Sequence, residues 1–195
     1  MPIFLSRRER LFWLLAGAYS LLIYTTLGLV RQVTNALRDR GILRTTVAAV
    51  FALVAVAVLT HLVRSRAPRR VWLALPLIAL GYTLVYRFAV VAPEERVHLI
   101  QYGLLALLIF LALGARATAS PSPASLTRRL VTAFLATSAL GWLDEIFQGI
   151  HPERVYDLRD VGLNAISAAL ALTALAVLEV ATRRRSAASA ESPAD

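Results

Sequence analysis

Long apolar runs separated by short polar blocks constrain this chain more than any other feature of its sequence. Each run extends over roughly 18 to 22 residues, the length that an α-helix needs to cross the hydrocarbon core of a bilayer. Hydrophobic residues make up 58% of the 195 residues, and the mean hydropathy is +0.64, above the usual apolar share of a soluble domain. The sequence therefore predicts an all-α, multi-pass membrane protein.

The apolar runs predict about six transmembrane helices. The first run follows a short basic head and continues to Val30. This is longer than the apolar core of a cleavable signal peptide, which has about 7 to 15 residues, so we interpret the first run as a retained signal anchor. The predicted spans comprise approximately residues 11–30, 46–63, 71–91, 97–115, 129–147 and 161–181.

The arginines predict the orientation of these spans. All 21 basic residues are arginine, and cytoplasmic loops of membrane proteins carry an excess of positive charge. If both termini are cytoplasmic, thirteen arginines lie in cytoplasmic segments and seven in outer loops. We predict this orientation because the opposite one would reverse the bias. Residues 31–45 depart from the rule, because they bring four arginines to the outer side. Either a short amphipathic helix on the outer leaflet or a marginal first hairpin would account for them.

The composition excludes several classes of function. The chain has no cysteine, so disulfides, thiolate catalysis and cysteine-based zinc sites are excluded. The net charge of +9 does not indicate nucleic-acid binding, because the arginines flank apolar runs instead of forming a basic patch. We therefore predict the lipid bilayer as a partner and no nucleic acid.

Under the predicted orientation, three polar segments lie at one depth near the outer interface. The fourth span begins with EERVHLIQY, the fifth ends with DEIFQ and the sixth begins with DLRDVGLN. Within each segment, two polar residues are four positions apart and are therefore neighbours on a helix. These pairs are His98 and Tyr102, Asp144 and Gln148, and Asp160 and Asn164. Because unpaired polar groups are costly in hydrocarbon, we expect the segments to converge.

Together, the segments resemble the pattern of the VanZ-like family of bacterial membrane proteins. In that family a His and a Tyr four apart open one helix, D-E-x-x-Q ends the next, and R-x-x-D-x-x-D-x-x-x-N leads into the last. The resemblance covers about residues 72–181. It departs where the last helix of the family often has glycine, because this chain has Ser167 and Ala171. The matching residues, which are the candidate ligand-binding residues, are His98, Tyr102, Asp144, Glu145, Gln148, Arg154, Asp157, Asp160 and Asn164.

The resemblance implies a division of the chain and a class of function. Residues 71–182 would form a VanZ-like four-helix core and residues 1–70 an added N-terminal hairpin. The composition of residues 183–195 separately predicts a disordered cytoplasmic tail. The founding member of the family is associated with teicoplanin resistance. The resemblance therefore implies a protein of the bacterial plasma (inner) membrane, and the predicted orientation places its polar site on the extracytoplasmic side. It also implies a peptidoglycan precursor or a lipoglycopeptide antibiotic as the ligand.

The adjacent carboxylates Asp144 and Glu145 are the candidate catalytic residues. They can act as a general acid and base or bind a cationic ligand. Alternatively, they form a structural pair that Arg154 or Arg87 neutralises. The sequence has no serine-nucleophile, H-E-x-x-H or cysteine signature. An enzyme acting on a lipid-linked envelope precursor is therefore an alternative to ligand recognition, and a scaffold with a helix-locking polar layer is another.

The other polar residues also have two interpretations each. His98 is a proton shuttle or metal ligand, or it is bonded to a carboxylate of a neighbouring span. Glu95 and His98 have the E-x-x-H spacing of carboxylate-bridged metal sites, but the motif occurs once and that chemistry needs two. We therefore predict no metal and no cofactor. Asp160 and Asn164 either line a ligand pocket or cap the last helix and cross-link it to its neighbours.

The convergence of the polar segments can be tested by labelling. The chain has no native cysteine, so single cysteines introduced at positions 144 and 160 can be labelled without background. We expect both to be reached by a membrane-impermeant maleimide from the same, outer side, because both positions lie near the outer ends of their spans. Labelling of the two positions from opposite sides of the membrane would contradict a shared site.

Overall fold

Helices account for every regular element in residues 3–90, 95–150 and 156–190, which are the residues that the computed structural model describes. A π-helical turn, Val85–Ala89, extends the fourth helix. In chain order the helices are α1 (Arg7–Thr25), α2 (Leu27–Asp39), α3 (Leu43–Arg64), α4 (Arg69–Leu84), α5 (Arg96–Ala119), α6 (Leu126–Ile150) and α7 (Leu158–Ala190).

Five helical segments are long and apolar enough to cross a membrane, with mean hydropathies of 1.4 to 2.4 over their most apolar stretches. They are α3, α4 together with the π-helical turn as far as Phe88, α5, α6 and α7. α1 and α2 are long and apolar enough only together, and they are bent by 61° relative to each other. The described residues therefore contain five candidate spans, or six if α1 and α2 form one bent span. The predicted all-α, multi-pass character is confirmed, and the orientation of the termini stays a prediction.

The bend between α1 and α2 interrupts the first predicted span. The hydroxyls of Thr25 and Thr26 donate to carbonyls one turn earlier, at 2.8 and 2.6 Å. Such side-chain bonds compete with the backbone ladder and bend helices. Beyond the bend, the arginine-rich segment 31–45 begins as part of α2. Gly41 follows the end of α2 with a φ of +70°, a conformation that glycine adopts without strain.

α5 lies at the centre of the bundle and packs against α1, α6 and α7. Tyr102 and Ile109 of α5 form the main core with Ala16 of α1, Ala133 of α6 and Ala168 of α7. α1 thus contributes to the same core as the last three helices, and α4 packs on α7. The predicted division of the chain near residue 70 stays a prediction.

Large apolar side chains cover the outer surface of α3, α4 and the π-helical turn. Leu53, Leu77 and Phe88 are 69%, 72% and 83% exposed. An apolar surface of this extent is unfavourable in water, and it is favourable against lipid tails. The exposure therefore supports a position of these helices at the lipid boundary.

Two ion pairs join helices at the end of the bundle opposite to the DEIFQ segment. Glu9 of α1 is fully buried and accepts a hydrogen bond of 2.7 Å from Nη1 of Arg116, on α5. Arg129 of α6 is 5% exposed and pairs with Glu179 of α7. The guanidinium of Arg129 also lies over the ring of Phe110, 5.0 Å from its centroid. These contacts tie α1 to α5 and α6 to α7.

The last helix is longer than the sixth predicted span. α7 continues to Ala190 and includes residues 183–190 of the segment predicted to be a disordered tail. Arginine and alanine are strong helix formers, which accounts for this extension. Residues 191–195 lie outside the described residues.

Removal of one partner of the pair between α6 and α7 should destabilise the bundle. We expect Glu179→Leu to lower the free energy of unfolding by about 3 to 5 kcal/mol, because Arg129 then carries a buried, uncompensated charge. Unfolding in detergent micelles measures the loss. The control is the double variant Arg129→Met with Glu179→Leu, which we expect to recover most of the stability. A single variant as stable as the wild type would show that the pair does not stabilise the bundle.

Candidate functional site

Three helix ends bring the polar segments of the sequence together. The first turns of α5, the last turns of α6 and the first turns of α7 are joined by side-chain hydrogen bonds. Of the candidate site residues, Arg154 lies outside the described residues. Five of the others are at most 4% exposed, namely Tyr102, Asp144, Glu145, Gln148 and Asn164. The site is therefore assembled inside the bundle.

The side-chain amide of Asn164, on α7, connects all three helices. Its Oδ1 lies 2.7 Å from Nδ1 of His98, on α5, and its Nδ2 donates to the carbonyl of Gly141, on α6, at 3.1 Å. Because the amide nitrogen faces a carbonyl, the amide oxygen faces the histidine and accepts the proton of Nδ1. Neutral His98 therefore carries its proton on Nδ1, and its Nε2 keeps a lone pair.

Gly141 permits this contact, because α6 and α7 approach closely at this position. A Cβ atom at residue 141 would lie 2.8 Å from Cβ of Asn164 and 3.1 Å from Cε1 of Tyr102. Small residues allow such an approach between membrane helices. Gly141 is not among the residues predicted from the sequence. One feature of the sequence could have indicated its role. Gly141 precedes Asp144 by three residues, which places the two residues on one face of α6.

A second network surrounds the adjacent carboxylates of α6. The hydroxyl of Tyr102 donates to Oδ2 of Asp144 at 2.7 Å. The amide of Gln148 donates to the same oxygen at 3.2 Å and to Oε1 of Glu145 at 2.9 Å. Oδ1 of Asp144 is buried and has no hydrogen-bond partner among the described residues. The network thus leaves one carboxylate oxygen open inside the bundle.

The two acids at the start of α7 have different roles. Oδ1 of Asp157 accepts a hydrogen bond of 2.8 Å from the backbone N–H two residues later, so Asp157 caps α7. The backbone N–H of Asp157 also donates to Oε2 of Glu145 at 3.4 Å. Asp160 instead faces His98, with Oδ2 3.9 Å from Nε2. The capping considered for Asp160 and Asn164 is thus performed by Asp157, and Asn164 cross-links the helices.

Arginine does not neutralise the carboxylates in the described parts of the chain. Arg87, which was expected to reach this layer, is exposed and forms no ion pair with Asp144 or Glu145 there. Arg96, at the start of α5, lies over the ring of Tyr86 with its guanidinium carbon 4.0 Å from the centroid. The two carboxylates are therefore held by neutral donors, namely a phenol, an amide and a backbone N–H.

A cavity of about 240 Å³ lies beside the cluster, between α2 and the polar ends of α5, α6 and α7. Glu95, Asp144 and Asp160 line it with negative charge, and Arg31 and Arg38 of α2 line it with positive charge. The contribution of α2 is absent from the predicted site. The sequence shows that this segment is amphipathic, but periodicity does not indicate which surface a helix covers.

Three side chains of the type that binds metals meet in the cluster. One ring nitrogen of His98 and one carboxylate oxygen each from Asp144 and Glu145 lie within 4.8 Å of one another. Among the described residues, Glu95 is not part of this group. The metal-ligand candidates in the structure are therefore His98 of α5 with two acids of α6, and not the pair of Glu95 and His98 considered from the sequence.

No protein-family model, no curated protein and no solved structure matches this chain. The similarity to the VanZ-like family therefore rests on the motif residues and stays a prediction. The polar cluster and the cavity are the features of the molecule that indicate a function.

A side chain at residue 141 should disrupt the cluster. We expect Gly141→Ala to lower the free energy of unfolding by about 1 to 3 kcal/mol, because the added methyl group overlaps Asn164. The matched control is Gly162→Ala on α7, since a Cβ atom there has no neighbour within 4 Å. Thermal unfolding of both variants in the same detergent measures the difference. Equal stability of the two variants would contradict the close approach of α6 and α7.

Proposed function

We propose that this protein recognises a ligand at the extracytoplasmic face of the bacterial plasma membrane, through the cavity beside the polar cluster. One observation carries the proposal, namely the distribution of charge around this cavity. Glu95, Asp144 and Asp160 line it together with Arg31 and Arg38. A cavity with both charges suits a ligand that carries an ammonium group and also a carboxylate or phosphate group.

The cavity volume of about 240 Å³ limits the part of a ligand that enters. Pockets for drug-sized molecules have volumes of about 300 to 1,000 Å³. The smaller volume here suits an end group, such as the amino-acid terminus of a larger molecule. The remainder of the ligand would then lie along the membrane surface.

The resemblance to the VanZ-like family suggests which ligands to test. Four of the residues that carry the resemblance also line the cavity, namely His98, Asp144, Gln148 and Asp160. We therefore propose a cell-envelope protein whose ligand is a peptidoglycan precursor or a lipoglycopeptide antibiotic. Both are molecules with charged groups that meet the outer membrane surface.

A helix-locking role is favoured by the same contacts. The hydrogen bonds of His98, Tyr102 and Asn164 all connect different helices. Their loss would reduce stability whether or not a ligand binds. A decisive test therefore needs a variant that alters the cavity and leaves the contacts among α5, α6 and α7 in place. Arg31, on α2, offers such a position.

Antibiotic susceptibility at matched protein levels tests the proposal. We expect the wild type to protect a susceptible bacterial host against a teicoplanin-type antibiotic by several-fold, and Glu145→Gln and Arg31→Gln to lose that protection. Arg31→Gln removes a charge from the cavity lining, and Glu145→Gln changes the polar cluster beside the cavity. Arg40→Gln is the matched control, because Arg40 follows α2, is exposed and does not line the cavity.

The outcomes separate the two roles. Loss of protection in both variants at wild-type abundance supports ligand recognition. If Glu145→Gln falls in abundance and Arg31→Gln protects like the wild type, the cluster acts as a helix lock and the ligand proposal is wrong. A wild type that gives no protection removes the link to this class of antibiotic.

A further inference from the structure

We infer that His98, Asp144 and Glu145 form a binding site for one divalent transition-metal cation, for which Zn²⁺ is the probe. This inference goes beyond the proposed ligand recognition, because the cation would bind whether or not an envelope ligand does. It also differs from the expectation of no metal that the sequence supported. Three features of the cluster support it, namely the ligand geometry, one open carboxylate oxygen and the orientation of the histidine.

The ligand atoms are close to the arrangement that zinc requires. One nitrogen of His98 and one oxygen each from Asp144 and Glu145 lie within 4.8 Å of one another. With Zn–N and Zn–O distances of about 2.0 to 2.2 Å, neighbouring ligands of a tetrahedral site are roughly 3.3 to 3.6 Å apart. Side-chain rotations can close the remaining gap, because the three residues come from only two helices that are already packed together.

The open oxygen of Asp144 is an independent indication of a ligand. Asp144 is 1% exposed, and within the part of the chain that the structure describes its Oδ1 has no hydrogen-bond partner. A buried carboxylate oxygen without a donor is costly in free energy and rare in native structures. Asp144 also lines the cavity, so a cation can reach it. A divalent cation would satisfy this oxygen and compensate the charge that no arginine neutralises in the described residues.

The contacts of His98 prepare its ring for coordination. Its Nδ1 proton is held by Oδ1 of Asn164, and Asn164 is oriented by the carbonyl of Gly141. Histidines that bind metals usually donate their second ring N–H to an oxygen in this way, which fixes the ring and its tautomer. The other nitrogen, Nε2, lies 3.9 Å from Oδ2 of Asp160, too far for a hydrogen bond. Its lone pair is therefore available to a cation.

The cavity leaves room for a fourth ligand. Catalytic and ligand-binding zinc sites have three protein ligands and one position open to water or substrate. The amide of Gln101 and the guanidinium of Arg31 line the same cavity. An anionic group bound to the cation would therefore have hydrogen-bond donors around it.

Direct metal binding tests the inference. We would purify the full-length chain in detergent without a polyhistidine tag, remove metals with a chelator and titrate Zn²⁺ by calorimetry and equilibrium dialysis. We expect one Zn²⁺ per chain. We expect His98→Asn and Glu145→Gln to weaken binding by at least about tenfold, since changes outside the ligand shell already have effects of this size. Asp39→Asn is the matched control, because Asp39 is an exposed acid at the end of α2 that does not line the cavity, and this variant should bind like the wild type.

A second measurement does not depend on the variants. X-ray absorption of the zinc-loaded wild type should show one imidazole and oxygen ligands around the metal. Absence of saturable binding by the wild type, a zinc site without imidazole, or unchanged affinity in a folded His98→Asn variant would each overturn the metal site. Because binding is measured apart from susceptibility, zinc binding without antibiotic protection contradicts only the proposed function. Protection without zinc binding contradicts only the metal site.

Discussion

In the apolar surroundings of a membrane protein, a buried amide or carboxylate is stable only if its hydrogen-bonding atoms find partners inside the bundle. Asn164 meets this requirement with partners on two other helices, and its bonds set how α5, α6 and α7 lie against one another. The same bonds require glycine at residue 141 and hold His98 in one orientation. In this part of the chain, the same hydrogen bonds therefore hold the helices together and orient the polar side chains.

Buried acids have different partners at the two ends of the bundle. At one end, each of the acids Glu9 and Glu179 has an arginine partner, so the charges are compensated and the contacts tie helices together. At the other end, Asp144 and Glu145 are held by neutral donors, and one oxygen of Asp144 stays open. A closed ion pair suits a structural role. A cluster that no arginine of the described residues neutralises, beside a cavity, suits the binding of a cation or a charged ligand.

The position of α2 gives a reason for the arginines of residues 31–45, which the charge bias of membrane loops does not explain. Under the predicted orientation, the arginines of residues 31–45 oppose the usual bias of positive charge toward the cytoplasm. In the structure, the bend after α1 brings Arg31 and Arg38 to a cavity that is also lined by Asp144 and Asp160. Nearby acids favour arginine there, because opposite charges stabilise each other in a partly dehydrated site. The segment therefore belongs to the site.

The sequence by itself determined the class of fold and the polar segments. The length and hydropathy of an apolar run indicate whether a helix is surrounded by lipid or by water. Helical spacing also showed which polar residues share a face. Only the tertiary structure decided which neighbour each face meets. Asp157 and not Asp160 caps α7, and His98 lies with the carboxylates of α6 and not with Glu95. The close approach at Gly141 and the placement of α2 were likewise decided there, because periodicity gives the direction of a side chain but not the distance to another helix.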